Sequence, residues 1–256
     1  MQGIFSEFIR HFRTLIADIF TRKKAYLGLI AGIVTGLIIC ALLVSGFYEL
    51  LEELNEEELA GFDDSIAIPI HLLRNSRLTE VMLVITWMGD QTAYIIFSLA
   101  LFVFFYIRYR SLIFPLQTSV VLLFAGGLNR WLKGLIARPR PSAEHLVEAG
   151  SMSFPSGHAM SSIAFFGFLI YLVWRLVSTP WLRWLLSFLL VFLTLAIGFS
   201  RVYLGVHYPS DVLAGYAAGG ACLAIFISVY VFVRYRYVRK GKAAVNLKGK
   251  GRSSGA

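Results

Sequence analysis

Six stretches of the chain are apolar for long enough to cross a hydrocarbon core as helix, which takes about 20 residues. They run from Ala25 to Tyr48, Gln91 to Ile107, Leu112 to Trp131, Ala159 to Leu176, Trp184 to Phe199 and Val212 to Val233. The pattern predicts an all-α polytopic membrane protein with six transmembrane helices. Ahead of the first stretch, Ile4, Phe5, Phe8, Ile9, Phe12, Leu15, Ile16, Ile19 and Phe20 recur at helical spacing opposite Arg10, Arg13 and Asp18. That spacing predicts an amphipathic helix lying in the plane of the membrane surface. Between the first two spans, Ile66 to Met88 alternates apolar and polar groups and reads as a short helix or partial re-entrant element.

Three regions follow: a cytoplasmic amphipathic segment over 1–24, a six-span domain over 25–233, and a basic cytoplasmic tail over 234–256 that reads as solvated and disordered. Composition agrees, because 57% of the 256 residues are hydrophobic and 15% charged, more apolar surface than a soluble domain needs. The first stretch is longer than a signal-peptide core and lacks a small-residue cleavage signature, so it reads as a retained anchor. Cys40 and Cys222 both fall inside spans, as small apolar side chains, and suggest neither a disulfide framework nor a zinc site.

Six spans place both termini on one side, and the charges say which. That side holds 17 of the 24 Lys and Arg residues but only Glu7 and Asp18 among the 15 acidic ones. Both termini are therefore expected in the cytoplasm. The same distribution accounts for the net charge of +9 without nucleic acid, since no aromatic-basic binding motif accompanies it. The opposite face carries an acidic run from Glu49 to Asp64, which lacks calcium-loop spacing and reads as solvated, with no assigned chemistry. It also carries Arg74, Arg77, Arg130, Lys133, Arg138, Arg140 and Arg201. Cations on the face that the positive-inside tendency disfavours call for an anionic ligand, or else snorkel to lipid phosphates.

Three segments at external span ends carry the candidate chemistry: Lys133 with Arg140 and Pro141, the run Pro155-Ser156-Gly157-His158, and Ser200-Arg201 with His207 and Asp211. Two histidines, three cations and one carboxylate suit phosphoryl transfer, in which catalysis is mostly positioning and neutralising charge on the phosphoryl oxygens. Taken singly they are ordinary. Asp211 suits a helix N-terminus, Arg201 the negative end of a helix, and a histidine at a helix start is often structural.

Together, in this order, these residues resemble the type 2 phosphatidic acid phosphatase superfamily, whose pattern is K-x6-RP, PSGH and SR-x5-H-x3-D. The neighbouring Arg138-Pro139 pair is out of register, because it would need Lys where the chain has Trp131. The resemblance implies a helical-bundle catalytic core over about 112–233, of the kind found in membrane-bound bacterial lipid phosphatases. It makes His207 the nucleophile that forms a phosphohistidine, with Asp211 fixing its tautomer. His158 becomes the acid for the leaving group and then the base for water. Lys133, Arg140 and Arg201 hold the phosphate oxygens, helped by Ser156 and Gly157 at a helix N-terminus, where Pro155 would occupy the first turn, and Ser200 is a secondary candidate.

The expected activity is cofactor-free, metal-independent hydrolysis of a lipid monophosphate or diphosphate at the outer leaflet of a bacterial cell membrane. Candidate substrates are undecaprenyl diphosphate, phosphatidylglycerol phosphate, phosphatidic acid and diacylglycerol pyrophosphate. The short Pro141 to Pro155 loop is expected to leave the site little covered. The rival readings are a lipid or ion transporter that binds with the same cations, a haloperoxidase with vanadate in the pocket, and a scaffold in which the histidines are dispensable.

Overall fold

The structure, a computed structural model, describes the backbone of residues 2–55, 59–150 and 152–253 and the side chains of 26–54, 59–150 and 152–236. Eight helices follow one another: α1 (Gln2–Asn55), α2 (Leu59–Leu72), α3 (Ser76–Trp87), α4 (Gln91–Tyr109), α5 (Ile113–Ile136), α6 (Gly157–Leu176), α7 (Pro180–Tyr203) and α8 (Pro209–Ser253). Among the described residues there is no strand. Six segments are long and apolar enough to span a bilayer: Tyr26–Leu54, Gln91–Tyr109, Ile113–Ile136, Gly157–Leu176, Pro180–Tyr203 and Pro209–Arg236. The sequence windows end where hydropathy falls, at Trp131 and Phe199, whereas the helical hydrogen-bond ladder continues past both. Lys133 and Arg201 therefore lie in the last turns of α5 and α7, not beyond them.

The amphipathic face predicted for 1–24 lies outside the residues whose side chains are described. The tail departs from expectation, since the helical backbone of α8 continues to Ser253 where a disordered segment was predicted. A helix already nucleated extends at one hydrogen bond per added residue.

Contacts divide the chain into two units, one made of Met1–Ile38 with Ile225–Ala256 and the other of Ile39–Ala224. In the first, the rings of Tyr26 and Tyr235 approach to 6.5 Å. In the second, α6 packs against α5 and α7, α5 against α4, and α7 also against α2 and α3. Large side chains such as Phe165, Phe168 and Tyr203 fill part of its interior, but small residues predominate toward α8, with Ala159 and Ala164 on α6 and Ala214, Ala217, Ala218 and Ala221 on α8 all buried. A methyl at Gly219 would fall 2.5 Å from the Met160 carbonyl oxygen, so glycine is what lets α8 lie against α6. Close backbone approach supplies the packing that lipid, as apolar as leucine, cannot drive. The bulky groups Leu123, Phe124, Phe188 and Phe192 point outward, toward the lipid expected there.

The Ile66 to Met88 region, read as a short helix or partial re-entrant element, consists of the end of α2 and all of α3. Asn75 ends the pairing by accepting the Leu78 N–H at 3.0 Å, an N-cap that starts α3 afresh. α2, α3 and the link between them hold the end of α7: His71 of α2 meets the Val202 carbonyl at 2.9 Å, and Arg74 of the link donates Nε to the Tyr203 carbonyl at 2.9 Å. The Tyr203 hydroxyl lies 3.0 Å from Thr79 Oγ1. Gly205 then turns the chain at φ +77°, where a methyl would meet the Glu144 carbonyl oxygen at 2.5 Å. The turn aims His207 back into the bundle.

Candidate active site

His207 sits between the end of α7 and the start of α8 and is 3% exposed. Its Nδ1 lies 3.3 Å from Asp211 Oδ2, and its Nε2 lies 3.5 Å from Arg140 Nη1. A carboxylate only accepts and a guanidinium only donates, so the network assigns the proton to Nδ1 and makes Nε2 the acceptor, its lone pair turned toward Arg140. Burial lowers the His207 pKa to about 4, against the opposing pull of Asp211 and with help from Arg201 and Lys133. The ring is neutral at pH 7.

Asp211 is fully buried and saturated with donors. Oδ2 also accepts the Tyr208 N–H at 2.9 Å and the Ser153 hydroxyl, while Oδ1 accepts Arg138 Nη1 at 2.7 Å. Four donors on one carboxylate keep it ionised and fix its plane.

The three predicted cations converge on the same place by different routes. Lys133 donates to the Met152 carbonyl at 2.9 Å. Arg140 is clamped by backbone, Nε to the Gly150 carbonyl at 2.7 Å and Nη1 to the Val206 carbonyl at 2.5 Å. Burial lowers its pKa, and Asp211 opposes that shift. Arg201 donates Nη1 to Thr86 Oγ1 at 2.8 Å, but among the described residues its buried Nε has no hydrogen-bond partner. The Ser156 hydroxyl is likewise buried and unpaired. Orphaned buried donors cost about 1 to 3 kcal/mol each, and an anion in reach would remove that cost.

Lys133, Arg140, Gly157, His158, Arg201 and His207 line one cavity of about 460 Å³. Leu83, Thr86 and Trp87 of α3 form a further wall, and Val147, Glu148 and Gly150 of the loop before α6 another. The loop expected to leave the site little covered forms this wall and is anchored beside it, the Leu146 N–H bonding the Leu204 carbonyl at 3.0 Å and the Ser153 N–H the Arg138 carbonyl at 2.9 Å.

Three expectations about helix ends also change. The Ser156 N–H donates to the Asp211 carbonyl at 2.9 Å, so that amide is engaged within the protein. Pro155 precedes α6 and its carbonyl accepts Asn129 Nδ2 at 3.0 Å. Ser200 is fully buried and turns its hydroxyl onto the Ile197 carbonyl at 2.6 Å, away from the cavity lining.

Residues 114–236 match the PAP2 superfamily, an interval containing every residue of the three motifs. Phosphatidylglycerophosphatase B of Bacillus subtilis is 32% identical over 180 residues, which cover 68% of this chain and 85% of that protein. The chain belongs to the PAP2 superfamily. It is a membrane phosphatase of the lipid phosphatase type. The crystal structure of a transmembrane PAP2-type phosphatidylglycerolphosphate phosphatase from Bacillus subtilis superposes with a TM-score of 0.69 at 26% identity, covering 74% of this chain and 94% of that one. Aquifex aeolicus LpxE shares the fold, with a TM-score of 0.52 at 22% identity over 64% of this chain and 93% of its own. Lipid A 1-phosphatase of Rhizobium etli is 37% identical over 117 residues, 41% of this chain and 44% of that protein.

Four participants escaped the sequence. Arg138 was set aside as out of register, yet it binds Asp211. Asp63 was one of a run of acidic residues, yet it is fully buried. Ser153 and Thr86 carried no motif at all. Only Arg138 left a signal, an arginine beside a motif on the face where cations are disfavoured.

Proposed function

We propose that this membrane phosphatase hydrolyses lipid monophosphates or diphosphates at the outer leaflet through a phosphohistidine on His207. The observation that carries the proposal is the His207 ring, neutral, anchored through Nδ1 at Asp211 and lining a cavity with three cations and His158. Nε2 attacks phosphorus, and the bond from phosphorus to the leaving oxygen breaks. Lys133, Arg140 and Arg201 neutralise the three phosphoryl oxygens. His158 gives its proton to the leaving oxygen and then takes one from the water that cleaves the phosphorus–nitrogen bond, releasing inorganic phosphate and restoring both rings.

The cavity walls support a lipid substrate. Leu83, Trp87 and Val147 flank the polar groups, so a headgroup reaching the site keeps its apolar chains in lipid and avoids an extraction cost of about 0.8 kcal/mol per methylene. The named candidates are those of the sequence reading: phosphatidylglycerol phosphate, undecaprenyl diphosphate, phosphatidic acid and diacylglycerol pyrophosphate. The charge asymmetry supports cytoplasmic termini and an external site, and the bacterial relatives support a bacterial cell membrane.

The test is phosphate release from detergent-purified protein in excess chelator, wild type beside His207→Ala, on that panel of lipids. Release by wild type, with a ³²P-labelled acid-labile, base-stable adduct that the variant lacks, is expected. Equal turnover by the variant sinks the mechanism, and binding without turnover by wild type points to transport.

A further inference from the structure

The mechanism leaves one buried charged group without a role. Asp63, on α2, is fully buried, and its carboxylate accepts the Ser210 N–H at 2.8 Å, the Ser210 hydroxyl at 2.7 Å and Arg138 Nη2 at 2.8 Å. The other face of that guanidinium donates Nη1 to Asp211 Oδ1 at 2.7 Å and to Ser210 Oγ at 2.8 Å. It also lies 4.0 Å above the Tyr208 ring. One arginine thus bridges two buried carboxylates drawn from α2 and α8.

The charges of this cluster explain why two carboxylates are present. Asp211 alone behind His207 would be a full negative charge that stabilises positive charge developing on the ring as phosphorus bonds to Nε2. Arg138 fixes Asp211 in place but cancels that charge. Asp63, beyond the arginine, brings the cluster back to a net −1. We infer that Asp63 is a positioning residue for phosphoryl transfer, holding Arg138 so that it orients Asp211 while leaving the cluster behind His207 negative. The inference rests on His207 being the nucleophile.

The field at His207 has other sources. Arg140 lies beside Nε2, Lys133 and Arg201 face the ring across the cavity, and His158 is close enough for its charge to matter. All of these oppose positive charge on the ring when they are themselves positive. Asp90 and Glu148 line the same cavity and offset the cations from its far walls, while Asp211 and, through Arg138, Asp63 do so from behind the ring.

The test compares wild type, Asp63→Asn, the double variant Asp63→Asn with Arg138→Gln, and His207→Ala. The clusters carry −1, 0 and −1 in the first three, and in the double variant the glutamine amide in place of Arg138 can still donate an N–H to Asp211. Steady-state kinetics on a short-chain phosphatidic acid in mixed micelles and histidine ring ¹⁵N titrations are read together. For Asp63→Asn, kcat is expected to fall about tenfold with KM within about twofold, and His207 to titrate at least about half a unit lower than in wild type. The double variant is expected to return the His207 titration toward wild type and to recover part of the lost kcat. A kcat for Asp63→Asn equal to wild type, or a loss with the titration unmoved and no recovery in the double variant, overturns the role of Asp63. Should the single variant fail to fold, the double variant is read alone, since it leaves no buried guanidinium short of a carboxylate. Its His207 titrating within about half a unit of wild type supports the inference, and a larger downward displacement overturns it. Full activity of His207→Ala removes the nucleophile itself, whereas an inactive His207→Ala beside an unaffected Asp63→Asn removes only the part given to Asp63.

Discussion

The Ser156 amide donates to the Asp211 carbonyl at 2.9 Å, joining the first turn of α6 to the first turn of α8. His158 stands two residues beyond one end of this bond, and the carboxylate that orients His207 stands at the other. The proposed acid and the proposed nucleophile are therefore spaced by main chain, which side-chain substitution leaves in place. Each histidine can be altered without displacing its partner.

This independence makes a leaving-group comparison clean. A monoester departs as an alkoxide and needs a proton in the transition state, whereas a diphosphate departs as phosphate and needs much less help. His158→Ala is expected to slow phosphohistidine formation from phosphatidic acid at least about tenfold more than from diacylglycerol pyrophosphate. Rapid-quench measurement of the adduct checks this, and equal slowing of both removes His158 from the acid role.

The charge state of His207 gives a pH prediction. Its folded pKa, about 4, lies below the ordinary 6.5, so the ring stays neutral as pH falls through 6.5 while the unfolded chain takes up a proton. This group's contribution to stability is full above pH 6.5, declines as pH falls toward 4, and levels off below, at about 1.4 kcal/mol per unit of separation. Histidine ring ¹⁵N spectra at pH 5.5 are expected to show a neutral Nδ1–H tautomer at His207. An imidazolium signal there contradicts the buried geometry.

Arg140 is held by two carbonyls, at Gly150 and Val206, while it faces the cavity. Lysine has one nitrogen and cannot span both. Arg140→Lys is expected to raise KM about tenfold and to lower kcat as well, because the loop and the turn before His207 lose their shared donor. Unchanged kinetics count against the clamp.

The small residues where α8 lies against α6 predict where volume is forbidden. Gly219→Val places methyls against the Met160 carbonyl and Ile163, both 2.5 Å from where Cβ would sit, and is expected to cost about 1 to 3 kcal/mol in detergent unfolding. Gly126→Ala, where nothing lies within 4 Å, is expected to leave stability unchanged or raised. Equal effects at the two sites contradict the packing of α6 against α8.

The number and order of the spans were legible because lipid imposes a length and a composition on each. The motif residues were legible because each is bound to its neighbours by local spacing, as His207 is to Asp211 four residues on. Asp63 and Arg138 meet across 75 residues, and nothing local distinguishes Asp63 from the glutamates beside it. Ser153 was hidden for the same reason, since its partner Asp211 lies 58 residues away. The ends of α5 and α7 were placed short because hydropathy falls before the helix does, at Trp131 against Ile136 and at Phe199 against Tyr203.

Those two helix ends set a height. Lys133 is three residues short of Ile136 and Arg201 two short of Tyr203, which puts both cations about 3 to 5 Å below the tips of their helices at 1.5 Å per residue. Under the proposed function, a lipid phosphate held between them lies short of the helix tips, so a headgroup whose chains stay in the bilayer has less far to move than a water-soluble phosphate ester.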